Sequence, residues 1–281
     1  MTVRIVTDSA CDLTTAEADD LGIEVVPLTI RFGEDEYVDR TELDVQSFYR
    51  TMAEEDALPE TAAPAPGAFE AAFRRLADEG ADAVVCINLS SKLSATHQSA
   101  RTAAASLEGQ VDVRTIDSNS ITAGLGSQVL RAARLARDGA GVDEVVAAVE
   151  SVVPRTRVYG VLDTLENLRK GGRIGGAQAL LGSMLSIKPA LDLSSGEVQE
   201  AGKPRTRKKA LQWLADQVLA HDRVEDLAIM HGEAPDVDLV LDMLADRYPR
   251  DEIRVGHIGA VIGTHGGPRV VGACFVVPEA T

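Results

Sequence analysis

Hydroxyl side chains crowd one short stretch of the sequence, Leu89-Ser-Ser-Lys-Leu-Ser-Ala-Thr-His-Gln-Ser99. It follows an apolar run, Ala83-Val-Val-Cys-Ile87, of the kind found in buried parallel strands. It leads into the alanine-rich residues 100–107, which favour a helix. Ser94 stands where an N-cap belongs, with Ala95, Thr96 and His97 as the first turn. A strand that ends in hydroxyls and then opens a helix offers free backbone N–H groups beside side-chain donors. Such a place suits an anionic head group, a carboxylate or a phosphate. The same serines could equally cap a helix and close a turn with no ligand.

The elements around this stretch alternate. In the first half, strands are predicted over 3–8, 24–32, 83–87 and 111–116. Pro27 marks an edge or a bulge in the second of these. Residues 33–39 read as a hairpin, and helices are predicted over 13–21, 45–55, 67–77, 121–137 and 142–153. Strands spaced by helices imply right-handed crossovers and a mostly parallel sheet, with ligands at the carboxyl ends of strands. Asp8-Ser9, Ser90-Ser91 and Asp117-Ser118 fall at such ends. These acids and Ser118 read as structural, and Cys86 reads as core.

Near Pro154 the pattern changes. Strands are predicted over 158–162, 187–193, 197–201, 226–230, 252–257 and 269–277, with a hairpin turn at Ser194-Ser195-Gly196. Helices are expected over 165–170, 178–185, 206–221 and 237–248. The expectation is an α/β protein of two α/β domains. The N-terminal domain, residues 1–155, holds a mostly parallel three-layer sheet, and the C-terminal domain, residues 156–281, a mixed sheet.

A chain of 281 residues, 45% hydrophobic, can bury a sizeable core. No apolar run approaches the roughly 20 residues of a membrane helix. The N-terminus reads as a first strand and not as a signal peptide. Cys11, Cys86 and Cys274 are too scattered for a zinc pattern or a disulfide framework. A reducing, cytoplasmic setting fits. The formal net charge of -16 argues against nucleic-acid binding, which needs a basic footprint. An acidic chain poor in lysine would also suit a high-salt cytoplasm. Its only dense basic cluster is Lys203-Pro-Arg-Thr-Arg-Lys-Lys209.

Familiar catalytic signatures are missing. There is no phosphate-binding P-loop, no Gly-x-Ser-x-Gly elbow and no His-Glu-x-x-His metal helix. The five histidines are dispersed. No metal and no cofactor is expected.

Five segments remain: Asp8-Ser-Ala-Cys-Asp-Leu13, the Thr61-Ala-Ala-Pro64 loop, the hydroxyl stretch, Asp163-Thr-Leu-Glu-Asn-Leu-Arg-Lys-Gly-Gly-Arg-Ile174 and Gly263-Thr-His-Gly-Gly-Pro268. In this order the set resembles the DegV family, whose better-known members are the fatty-acid-binding subunits of bacterial fatty acid kinase. The resemblance covers essentially the whole chain. It implies a long-chain fatty acid held in a tunnel between two α/β domains and presented to a separate kinase subunit, which makes an acyl phosphate. It implies a binding subunit without catalytic activity of its own, with at most peripheral contact with a membrane.

Residue by residue, the family's Thr-Ser-Gln-Pro loop matches Thr61 to Pro64, and its Leu-Ser-Gly-Thr turn matches Leu93 to Thr96. Its Gly-Thr-His-x-Gly-Pro motif matches Gly263 to Pro268. Thr61, Ser94 and His265 would then contact the head group. Arg173 and Arg205 match arginines associated with engaging the kinase and its phosphates. Ala62, Ala63 and Ala95 depart from the family pattern. Two other functions stand beside this one. Ser94, His265 and an acid such as Asp8 or Asp117 could form a hydrolase triad for acyl esters. The alternative is a phosphotransferase related to dihydroxyacetone kinases.

Overall fold

The computed structural model describes residues 2–55 and 58–279, with side chains throughout except at 183–185. The outer limits expected for the two domains, Met1 and Thr281, lie outside the described residues.

The first half contains β1 (Val3–Asp8), α1 (Thr15–Asp20), β2 (Glu24–Val26), β3 (Thr29–Phe32), β4 (Asp35–Val38), α2 (Val45–Glu54) and β5 (Glu60–Ala62). It continues with α3 (Pro66–Asp78), β6 (Ala83–Asn88), α4 (Thr96–Ser106), β7 (Asp112–Asp117), α5 (Thr122–Arg137) and α6 (Val142–Val152). A four-stranded, all-parallel sheet runs β2-β1-β6-β7. Every residue of β6 is buried, as a continuous apolar run covered on both faces requires. Val6, Val84 and Cys86 pack on Phe69, Phe73 and Leu76 of α3 and on Ala100 and Ala103 of α4. Ile5, Val85 and Ile87 belong to a core shared with Leu125 and Val129 of α5 and Val145 and Val149 of α6. This half has three layers.

The strand expected over 24–32 is instead two strands in two sheets. Pro27 has no N–H to donate, and the Leu28 N–H turns to the Ser9 hydroxyl at 3.1 Å. Beyond that break β3 joins a small antiparallel sheet ordered β4-β3-β5. Thr61, expected in a loop, is therefore a strand residue paired with Ile30.

The second half contains β8 (Thr156–Val161), α7 (Glu166–Lys170), a 3₁₀ segment (Gly175–Ser186), β9 (Ala190–Asp192), β10 (Gln199–Gly202) and α8 (Arg207–Leu219). Then come β11 (Glu225–His231), α9 (Val237–Leu244), β12 (Arg254–His257), α10 (Ala260–Gly266) and β13 (Val271–Val276). The six-stranded sheet is ordered β10-β9-β8-β13-β11-β12, and only β11 and β12 pair in parallel. On one face Val161, Ile229, Ala273 and Phe275 pack under α8 and α9. On the other, Val158, Met230 and Cys274 join the same core as Ile5 and Val85. One continuous core thus lies between the two sheets.

The 3₁₀ segment replaces the α-helix expected over 178–185. Gly175 adopts φ +48°, and a Cβ there would lie 2.6 Å from the Val198 carbonyl oxygen. A regular helix start is lost at that contact. Helix α5 is the hinge of the architecture, touching β1 on one side and β8, β11 and β13 on the other. Its glycines permit this. A Cβ on Gly126 would sit 2.6 Å from the Cys11 carbonyl oxygen, and one on Gly124 would sit 2.6 Å from Val158 Cγ2. Gly126→Ala is expected to lower stability by about 1–3 kcal/mol, despite alanine's better helix propensity. Urea titration should show an earlier midpoint at unchanged slope. A midpoint at or above the parent's would disprove the close approach.

Candidate ligand-binding site

A cavity of about 210 Å³ lies between the two sheets. It exceeds the roughly 150 Å³ of an apolar cavity that takes up benzene. Leu28, Ile121, Val158, Leu162, Leu191 and Ile258 are among its apolar walls. Thr61, Ser94, Arg173 and His265 also line it, and they gather at one end. Three of these, Thr61, Arg173 and His265, also face an outer vestibule of about 340 Å³ shared with Lys170 and Asn167. The polar end is therefore the end nearer solvent.

His265 closes the last turn of α10, a helix absent from the sequence-based expectation. The small residues that hid this helix from the hydrophobic pattern are the reason it can dock. At Gly263 a Cβ would lie 2.6 Å from the Tyr49 hydroxyl and 2.7 Å from Phe48 Cε1. Asn167 Nδ2 donates to the Thr264 carbonyl at 3.0 Å and ties α10 to α7. His265 Nε2 and Thr61 Oγ1 share a hydrogen bond of 3.0 Å. The other ring nitrogen, Nδ1, has no hydrogen-bond partner among the described residues and lies against Gly171, where a Cβ would approach to 2.4 Å. Burial, aided by the nearby Arg173 charge, lowers the His265 pKa to about 4. The imidazole is neutral at neutral pH.

Ser94 lies one residue outside the helix that it was expected to cap. Leu93 N and Ser94 N both bond back to the Ser90 carbonyl, at 3.0 and 3.2 Å, which closes a turn before α4 begins. Ala95 takes the cap position. The Ser94 hydroxyl still accepts from Thr96 N at 3.3 Å and lies 2.9 Å from Thr96 Oγ1. It serves the helix end from just outside, as a short serine turn does.

The earlier hydroxyls do not reach the cavity. Ser90 Oγ donates to the Gly196 carbonyl at 2.5 Å, and Lys92 Nζ donates to that of Ser195 at 2.6 Å. Both bonds tie the loop to the β9–β10 hairpin. Asp8 accepts from Leu89 N at 2.9 Å and from Asn88 Nδ2 and Ala10 N at 3.1 Å. Burial raises its pKa to about 6 against those bonds. Asp117 Oδ1 accepts from Ser91 N at 3.2 Å and from Asn119 N at 3.0 Å. These acids shape the loop that presents Ser94.

Arg173 faces inward. Its Nε donates to the Leu93 carbonyl at 3.2 Å and its Nη1 to Gly171 O at 2.7 Å. The second bond occupies the C-cap carbonyl of α7. The guanidinium thus bridges the Ser94 loop and the Gly171-Gly172 turn. The bond to the end of α7 is legible in the sequence, since a basic side chain just past a helix can take its last carbonyls, whereas the reach to Leu93 depends on two remote segments meeting. Arg205 is not brought into the cavity. It is exposed on the loop before α8, as are Lys208 and Lys209 within that helix. Arg207, from the same cluster, turns in to bond both oxygens of Asp236 at 2.9 Å.

A hydrolase triad is not assembled. His265 Nε2 faces Thr61, Nδ1 has no carboxylate beside it among the described residues, and Asp8 and Asp117 are engaged elsewhere. Among the described residues no group of histidine, cysteine and acidic side chains could hold a metal. No described helix is long and apolar enough to cross a membrane.

Two α/β halves packed around an apolar cavity, with a few donors at one end, define an α/β protein with room for a ligand between its sheets. The chain belongs to the DegV family. It matches the family model described as "Uncharacterised protein, DegV family" over residues 2–278. A DegV domain-containing protein of Streptomyces coelicolor is 40% identical over 276 residues, which is 96% of each chain. Solved structures share the fold along the whole length. A fatty-acid-binding DegV family protein of Thermus thermophilus superposes with a TM-score of 0.91 at 35% identity, covering 99% of this chain and 100% of that one. DegV of Bacillus subtilis, described as a fatty acid binding protein, gives 0.86 at 31% identity over 99% and 100% of the two chains.

Proposed function

We propose that this protein binds a long-chain fatty acid, with its carboxylate at Thr61, Ser94, Arg173 and His265 and its tail between the sheets. One observation carries the reading: a single cavity joins a cluster of donors to a long apolar wall. The fatty-acid binding described for the Thermus thermophilus and Bacillus subtilis relatives supports it. A hydrogen bond to a charged group contributes about 1.5–3 kcal/mol. Desolvation of the carboxylate offsets most of that gain. The tail contributes roughly 0.8 kcal/mol per buried CH₂. Affinity therefore comes from the tail, and the head group sets register.

The role is binding without catalysis, with the acid presented to a separate kinase subunit. The vestibule opens the carboxylate end outward. Exposed Arg205, Lys208 and Lys209 offer a positive docking patch on an otherwise acidic chain. Mass spectrometry of lipid extracted from the purified protein should show a stoichiometric long-chain acid. Empty protein that also fails to bind added fatty acid would sink the proposal.

Binding should also depend on pH. His265 is neutral in the empty site, with a pKa of about 4. An ionised carboxylate beside the ring raises that value, so the complex holds more protons than the free protein. Affinity then rises as pH falls from 8 towards 5.5. Calorimetry across this range should show the slope, and His265→Gln should flatten it. An equal slope in both proteins would remove His265 from the head-group site.

A further inference from the structure

Gly160 on β8 and Gly272 on β13 stand directly opposite each other in the antiparallel pair. Their row continues to Leu191 on β9 and Met230 on β11. Side chains alternate between the faces of a strand, so all four positions share the face that carries Val158 and Cys274. That face meets the core between the sheets, whereas Ala273 and Val161 turn towards α8 and α9. At this level two neighbouring central strands carry no side chain. The result is a trough flanked by Leu191 and Met230, and both glycines line the cavity.

Glycine weakens a strand interior through backbone entropy and lost packing. Neither glycine has the positive φ that would require it. Nor does the protein crowd Gly160. A Cβ there would meet only Leu162 Cδ1, at 3.8 Å, an ordinary contact. At Gly272 it would meet the Tyr159 carbonyl oxygen at 3.2 Å, a tighter fit. The empty fold would gain from a side chain at 160, and all that it would lose is cavity volume. Along β8 and one residue past its end the order on this face is Val158, Gly160, Leu162. Gly160 therefore lies on the cavity wall between Val158 and Leu162, both of which also line it.

We propose that the Gly160–Gly272 trough is the acyl-chain selectivity element of this cavity. It lets a long tail pass the midpoint, and a side chain at 160 ends the channel there. The inference rests on the fatty-acid reading above.

The test compares the parent protein with Gly160→Ala and Gly160→Val, using stearate and octanoate as ligands. Lipid-free variants should melt at or above the parent temperature. Gly160→Val should lose roughly tenfold or more in stearate affinity. Octanoate affinity should stay within about threefold, a change comparable to one lost methyl contact. Acids co-purifying with the variant should be shorter. Unchanged stearate binding by Gly160→Val overturns the inference, as does equal loss of both acids. So does a lower melting temperature in both lipid-free variants. A parent protein that binds neither acid refutes the fatty-acid reading instead, so the two failures are distinguishable.

Discussion

Arg173→Glu is expected to weaken long-chain fatty acid binding on the order of a thousandfold. The parent guanidinium lines the polar end of the cavity, bonded to the Leu93 and Gly171 carbonyls. The substitution removes a charge-assisted donor, about 1.5–3 kcal/mol. It also sets two carboxylates against each other. At about 4 Å and the effective dielectric of a partly exposed site, that repulsion reaches about 4 kcal/mol before relaxation. Arg173→Gln isolates the first effect and should cost roughly ten- to a hundredfold. Displacement of a fluorescent fatty acid measures both, with circular dichroism confirming the fold. Glutamate and glutamine variants of equal affinity would place Arg173 outside the carboxylate's reach.

The second large effect is on stability. Asp8→Asn keeps the shape of the side chain but should cost about 2–5 kcal/mol, because it can leave two buried donors without an acceptor. Asp8 accepts from three donors: Leu89 N and Asn88 Nδ2 on one oxygen, Ala10 N on the other. An amide must turn its NH₂ towards at least one of these. The pH dependence should change as well. The folded pKa of about 6 exceeds the ordinary 3.8. The contribution of the Asp8 proton is thus present below the ordinary value and lost as pH rises through about 6. Denaturant titrations at several pH values should show a shallower loss over that window in Asp8→Asn. A variant as stable as the parent would contradict the acceptor-only role. Asp8 also anchors the start of the loop that ends in Ser94, so ligand affinity should fall with it.

These two residues show how differently the chain declares its roles. Asp8 ends an apolar strand, and its position at a carboxyl end of a parallel sheet is legible from strand–helix alternation. Arg173 could be matched to a motif, yet its direction depends on the Leu93 carbonyl, eighty residues away in sequence. The helix that carries His265 escaped notice for a related reason. Gly259, Gly263 and Gly266 erase the periodic hydrophobic signal, and they do so because Asp12, then Phe48 and Tyr49, then Val270 stand where their side chains would be. The break at Pro27 was visible as an irregularity, but the change of sheet was not. The choice between two sheets is made by partners such as Ser9 and the β4 and β5 strands.

The sequence by itself determined the α/β class, the parallel first half and the mixed second half. Those follow from local periodicity and from the apolar runs that a doubly covered sheet demands. It also carried the ordered motifs that mark the family and name Thr61, Ser94 and His265. Only the tertiary structure decided that these residues meet at one end of a cavity between the sheets, that Arg173 joins them while Arg205 remains outside, and that two glycines leave a trough in its wall. Such facts are distances between remote segments and volumes left unfilled. They arise when sheets pack, and no local pattern encodes them.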